Sequence, residues 1–146
     1  MNGYVKFALF IAVVFLGISI SLPLHEYGHY VVGTAFGLQG TIYFDHVTFT
    51  TTPDVVQVVV IRLAIRLAGG LIAGAELLAL MALSRKPYGY GFLVMAVTNF
   101  IYAPFDSVPG SQLLGTIVAS VTFLTISIYL VHTGQFDDDL TMREHQ

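Results

Sequence analysis

The 146-residue chain contains no cysteine, and only 10% of its residues are charged. The first absence excludes disulfides, thiolate zinc sites and cysteine nucleophiles together, so any metal must be held by His, Asp or Glu. The second sets the chain apart from soluble domains, in which about a quarter of residues carry charge. Lys and Arg number six in all and form no basic patch, which argues against nucleic acid as a partner. The formal net charge of −3 comes largely from the C-terminal tail. In place of charge, 55% of the residues are hydrophobic and the mean hydropathy is +0.78. This balance predicts an integral membrane protein surrounded by a lipid bilayer, and the length suits one compact domain over 1–146.

Apolar runs place the expected spans near 4–37, 55–83, 89–104 and 112–132, followed by a polar tail over 133–146. Between the first two lies Thr41 to Thr52, rich in β-branched and aromatic residues, with Asp45-His46 suited to a turn. The expected fold is therefore an all-α integral membrane protein of about four transmembrane helices with a short extended or β-hairpin segment. Thr52-Pro53-Asp54 reads as the start of the second helix, and Gly37 with Gly40 as the stop of the first. Ala68-Gly69-Gly70 and Gly74 offer small surfaces for close helix packing. A cleaved signal peptide over residues 1–22 is less consistent, because the apolar run continues to Gly37. Lys6, Arg85, Lys86 and Arg143 fall on one side of a four-span arrangement against Arg62 and Arg66. That bias puts both termini in the cytoplasm.

Within the first run stands Leu22-Pro23-Leu24-His25-Glu26-Tyr27-Gly28-His29, a His-Glu-x-x-His pattern. On a helix, His25 and His29 project from one face, one turn apart, and two imidazoles so placed can bind one Zn²⁺. Glu26 beside them can serve as general base toward water activated by that ion. Three ionisable side chains in five residues are costly at membrane depth, which argues against packing alone as their reason.

A catalytic zinc usually has three protein ligands. The candidates for the third are Asp106, Glu76, Asp45 and His46. The motif ends span one and Asp106 ends span three; both spans run the same way, so the two share a leaflet. Pro104 and Pro109 would break the helix around Asp106 and let the chain turn toward a metal. Glu76 lies about 14 residues beyond Arg62, roughly 20 Å along a helix, and is deeper. Asp106 is the preferred candidate and Glu76 the second.

The run from Ile18 to His29, with glycine just before the second histidine, resembles the site-2 protease family of intramembrane zinc metalloproteases. The likeness covers roughly residues 12–115. An extended segment follows the motif helix, then Ala68-Gly69-Gly70 where the family often has Ala-Gly-Pro, then a span with Asn, Pro and Asp. The resemblance implies His25, His29 and Asp106 as metal ligands, Glu26 as catalytic base, and Asn99 as a substrate-binding amide. The chain departs from the family pattern in two ways: Pro104 comes five positions after Asn99 rather than three, and Ser107 follows Asp106. The family's site generally opens to the cytosol, whereas the charge bias puts this one in the opposite leaflet.

The function expected is hydrolysis of peptide bonds in a membrane-spanning or membrane-proximal protein or peptide, with zinc as cofactor. An edge of the 41–52 segment would hold the unwound substrate strand by β-addition. Two other classes fit the same residues. One is an inactive, family-like subunit that binds or stabilises a membrane-protein partner or assembles as an oligomer. The other is a metal or proton conduit lined by His25, His29, Glu76 and Asp106, against which the nearly featureless fourth span counts.

Overall fold

A computed structural model of the chain describes residues 2–50, 58–84, 87–106 and 108–136. It contains four helices and one hairpin: α1 (Gly3–Ala35), β1 (Gly40–Ile42), β2 (Val47–Phe49), α2 (Val58–Leu83), α3 (Tyr90–Tyr102) and α4 (Ser111–His132). A single 3-10 turn, Ala103–Phe105, extends α3. The expected helix start at Thr52-Pro53-Asp54 and the acidic Asp137-Asp138-Asp139 lie outside the described residues.

Helix α1 stays continuous through Pro23 and stops where expected. Gly37 adopts φ +80°, its amide donates to Thr34 and that of Leu38 donates to Gly33. This pair of bonds closes the last turn, and only glycine takes that backbone angle without strain. The same device ends α4, with Gly134 at φ +65° and bonds from Gly134 to Val131 and from Gln135 to Leu130. The hairpin pairs Gly40 with Phe49, Thr41 with Thr48 and Ile42 with Val47, antiparallel, with Asp45-His46 in its turn. It lies within the expected stretch apart from Gly40, and Thr51 and Thr52 lie outside the described residues.

Helices α1, α2 and α4 are long and apolar enough to cross a membrane. The expected third span is not. Helix α3 has 13 residues, about 20 Å of helix against a hydrocarbon core of about 30 Å. Its start is set by the turn through Gly89, and its end by Pro104, whose ring tightens the chain into the 3-10 turn.

Small residues bring α1, α2 and α3 together. A Cβ on Gly28 would lie 2.6 Å from the Ala68 carbonyl oxygen, and one on Gly70 would lie 2.5 Å from that of Asn99. Where lipid tails are as apolar as leucine, helices associate through such close packing and through hydrogen bonds. The contacts of α1 with α3 rise together, from Val14 against Gly91, through Gly17 against Met95, to Ser21 against Asn99. These two helices are parallel, and α2 runs against both. Helix α4 packs on α3, and its C-terminal end meets the start of α1 through Phe10, Phe123 and Phe136.

Candidate metal centre

Parallel packing of α1 and α3 places the end of α3 beside the motif turn of α1. The chain leaves α3 through the 3-10 turn, and Asp106 follows in extended conformation (φ −52°, ψ 140°), its carboxylate turned back toward the two histidines. Asp106 Oδ2 is 3.1 Å from His29 Nε2 and 3.7 Å from His25 Nε2. The imidazole rings stand edge to face, 4.7 Å apart between centroids. One ligand atom from each of His25, His29 and Asp106 lies within 4.8 Å of the others.

The outward nitrogens of both rings are tied down. His29 Nδ1–H donates to the Ile65 carbonyl of α2 at 2.6 Å. His25 Nδ1 faces Asn99 Oδ1 at 3.4 Å, a long contact that suits donation from the ring. Those bonds fix the tautomer with Nε2 free, the form a metal ligand needs, and hold each ring at its angle. Asn99 is itself held: its Nδ2 donates to Ser21 Oγ at 2.7 Å and to the Met95 carbonyl at 2.8 Å. Its amide hydrogens are thus committed inside the bundle, where the residue is buried.

Does this arrangement fit zinc? In a tetrahedron with bonds of 2.0–2.1 Å, neighbouring donors stand about 3.3 Å apart, and the two distances to Asp106 bracket that value. Gly69 supplies a second observation. A Cβ built on it would lie 2.5 Å from His29 Nε2 and 2.8 Å from His25 Nε2. The side chain that Gly69 lacks therefore leaves room beside both ligand nitrogens. Two imidazoles and one carboxylate are also a donor set that zinc accepts. The residues fit the ion.

Glu26 is buried on the motif turn, next to His25 in the helix. The other candidates for the third ligand lie elsewhere. Asp45 and His46 pair with each other at 2.8 Å in the exposed turn of the hairpin. Glu76 is two turns along α2 from Gly69, and its Oε2 is buried with no hydrogen-bond partner among the described residues.

Several contributors were not singled out from sequence. Ser21 sits four residues before His25 and Gly33 four after His29, so the helical period of the motif itself points to both. Gly33 and Gly40 seat the ring of Phe49, which fixes the hairpin over the end of this face. Tyr102 lies 6.0 Å from His25 between ring centroids, and its hydroxyl meets Ser111 Oγ at 3.0 Å. That bond ties together the two ends of the loop that carries Asp106. The carbonyl of Ile65 has no sequence signal, because any residue there would supply it.

Compared with protein-family models, with curated proteins and with solved structures, the chain finds no match.

Proposed function

We propose that the chain is a multi-pass intramembrane zinc metalloprotease, of site-2 protease type, that cuts membrane-spanning or membrane-proximal peptides. The observation that carries this reading is the meeting of His25 and His29 with Asp106, from a separate element, while Glu26 is buried on the same turn. A structural metal site has no use for a base beside its ligands; a hydrolytic one does.

His25, His29 and Asp106 would hold the ion. Zinc, when bound, supplies a Lewis acid that polarises the scissile carbonyl and lowers the pKa of water to about 7. Glu26 takes the proton of the attacking water and passes it to the leaving amine. Asn99 and the Ile65 carbonyl keep the two rings in register through the reaction. We assign Asn99 to orienting His25 rather than to substrate, because its amide hydrogens are already engaged. A substrate helix must unwind before its peptide bond can be attacked, and the hairpin edge beyond Gly33 offers main-chain partners for the unwound strand.

The bilayer assignment is supported by the outer face of α4, where Ile117, Val121, Leu124, Ile128 and Val131 form an exposed stripe at helical spacing. Each is a residue that lipid would cover. The start of α1 and the end of α4 lie on one side of the bundle, and we place that side in the cytoplasm from the distribution of Lys6, Arg85, Lys86 and Arg143 along the sequence.

The deciding experiment pairs zinc analysis of purified protein with cleavage of a panel of membrane peptides by wild type and Glu26→Gln. The proposal expects about one zinc per chain in both proteins and cleavage by wild type alone. Zinc in both with cleavage by neither would sink the protease and favour a binding subunit.

A further inference from the structure

Two neighbouring glycines of α2 face different walls of the site. Gly69 looks at the histidine nitrogens of α1, and Gly70 looks at Asn99 and Ala103 where α3 ends. Arg66 precedes them by three and four residues. At 100° per residue its direction falls between theirs, one turn nearer the hairpin end of the bundle. Side chains three apart on a helix begin about 5–6 Å from each other. The Arg66 stem therefore starts that far from the space beside the ligand nitrogens, on the face of α2 that lies between α1 and the end of α3.

Arg66 is half-buried. Its Nε is buried and has no hydrogen-bond partner among the described residues. Arg66 takes part in no ion pair among the described residues, and Asp106 faces the two histidines instead. Leaving a guanidinium N–H unpaired inside a bundle is costly, and a bound ligand that accepts from it would remove the cost.

Resting on the protease reading, we propose that Arg66 is a catalytic residue whose guanidinium donates to the scissile carbonyl oxygen of a bound peptide. That oxygen gains negative charge as water attacks, and Arg66 stabilises that charge while Glu26 handles the proton. Atoms and charge balance without another reagent: the water oxygen bonds to the carbonyl carbon, Glu26 takes its proton, and the C–N bond breaks as that proton reaches the amine. Arg66 stays protonated throughout.

The test compares two peptides of one apolar sequence, one intact and one with a phosphinate in place of the scissile bond. Binding of both is measured by calorimetry with wild type, Arg66→Gln and Arg66→Lys, each zinc-loaded, alongside cleavage. Arg66→Gln should lower kcat about 10²–10³-fold and weaken phosphinate binding by a similar factor. Intact-peptide affinity, zinc content and melting temperature should stay close to wild type. Arg66→Lys keeps the charge without the fork, so it should fold and lie between the two. Unchanged phosphinate affinity in both variants overturns the role of Arg66 while leaving the protease standing, provided Glu26→Gln is inactive. No cleavage by wild type overturns both.

Discussion

The two ends of α1 are held by different physics. Near its start, Phe10 is fully buried, stacked on Phe123 of α4 at 5.7 Å with Phe136 at 6.0 Å, and surrounded by Val14, Val94 and Leu130. Near its finish, Ser21, His25 and His29 reach hydrogen-bond partners on α3 and α2, and glycines stand where side chains would collide. The first end needs apolar shape, which many residue combinations supply. The second needs particular atoms at particular angles, because a buried polar group without its partner is costly. Stability and chemistry are therefore separable along one helix, and substitutions should sort by end.

The largest effect belongs to the ligands themselves. His29→Ala or Asp106→Ala should abolish both zinc retention and cleavage, since two donors do not make a closed three-ligand set. Zinc analysis after gel filtration reads this directly. A chelator should reproduce the loss of cleavage in wild type, with activity returning on zinc addition. Retention of one zinc per chain by both variants would remove these residues from the site.

Gly69→Ala comes next and is the sharper test of geometry, because it deletes nothing. The new methyl would sit within 2.8 Å of both ligand nitrogens. The rings cannot swing away freely, being held by Ile65 and Asn99. We expect zinc affinity and cleavage to fall at least as far as for the loss of an outer hydrogen bond, about 100-fold. Wild-type zinc binding in Gly69→Ala would mean that the ion does not occupy that space.

Asn99→Ala should weaken zinc binding by about 10–100-fold while leaving some activity at saturating zinc, because His25 stays present but loses its orienting partner. Asn99→Asp keeps an acceptor at Oδ1 and should recover part of the affinity. A change confined to KM, with zinc affinity intact, would return Asn99 to substrate binding.

How much of this could be read from the chain differs by end as well. His-Glu-x-x-His lies within five residues, so its spacing alone gave the shared face. Asp106 was reached through the direction of the helices, an argument that survives error in their lengths: α3 is shorter than a span, yet it still ends beside the motif. Gly69 read as a small packing residue, which it is, but which atoms it packs against depends on the rotation of α2. Ser21 lies on the motif's own face by helical spacing, but its partner does not show in the sequence, and the Ile65 carbonyl is invisible there because a backbone oxygen gains meaning only when another helix arrives. The hairpin was legible from β-branched residues, though its ends depend on the Phe49 ring finding Gly33 and Gly40.

The smallest effect on the site is expected from Phe10→Ala, which probes the other end. Phe10 is 15 residues before His25 on α1, about 22 Å along the helix. Among the described residues, the hydrogen bonds of the ligand rings do not pass through it, since His25 is oriented by Asn99 and His29 by Ile65. The substitution removes a ring from contact with Phe7, Phe123 and Phe136. In a soluble core that change costs about 3–5 kcal/mol, part from transfer to water and part from the cavity. In a bilayer the transfer part largely vanishes, because lipid is as apolar as the core, and the packing loss remains. The expected cost is therefore below that range, seen as a lower melting temperature in detergent, while zinc stoichiometry and the Glu26-dependent cleavage rate stay at wild-type values. A fall in zinc affinity comparable to that of Asn99→Ala would show that packing at the start of α1 sets the angle of the histidine rings, and the separation of the two ends would fail.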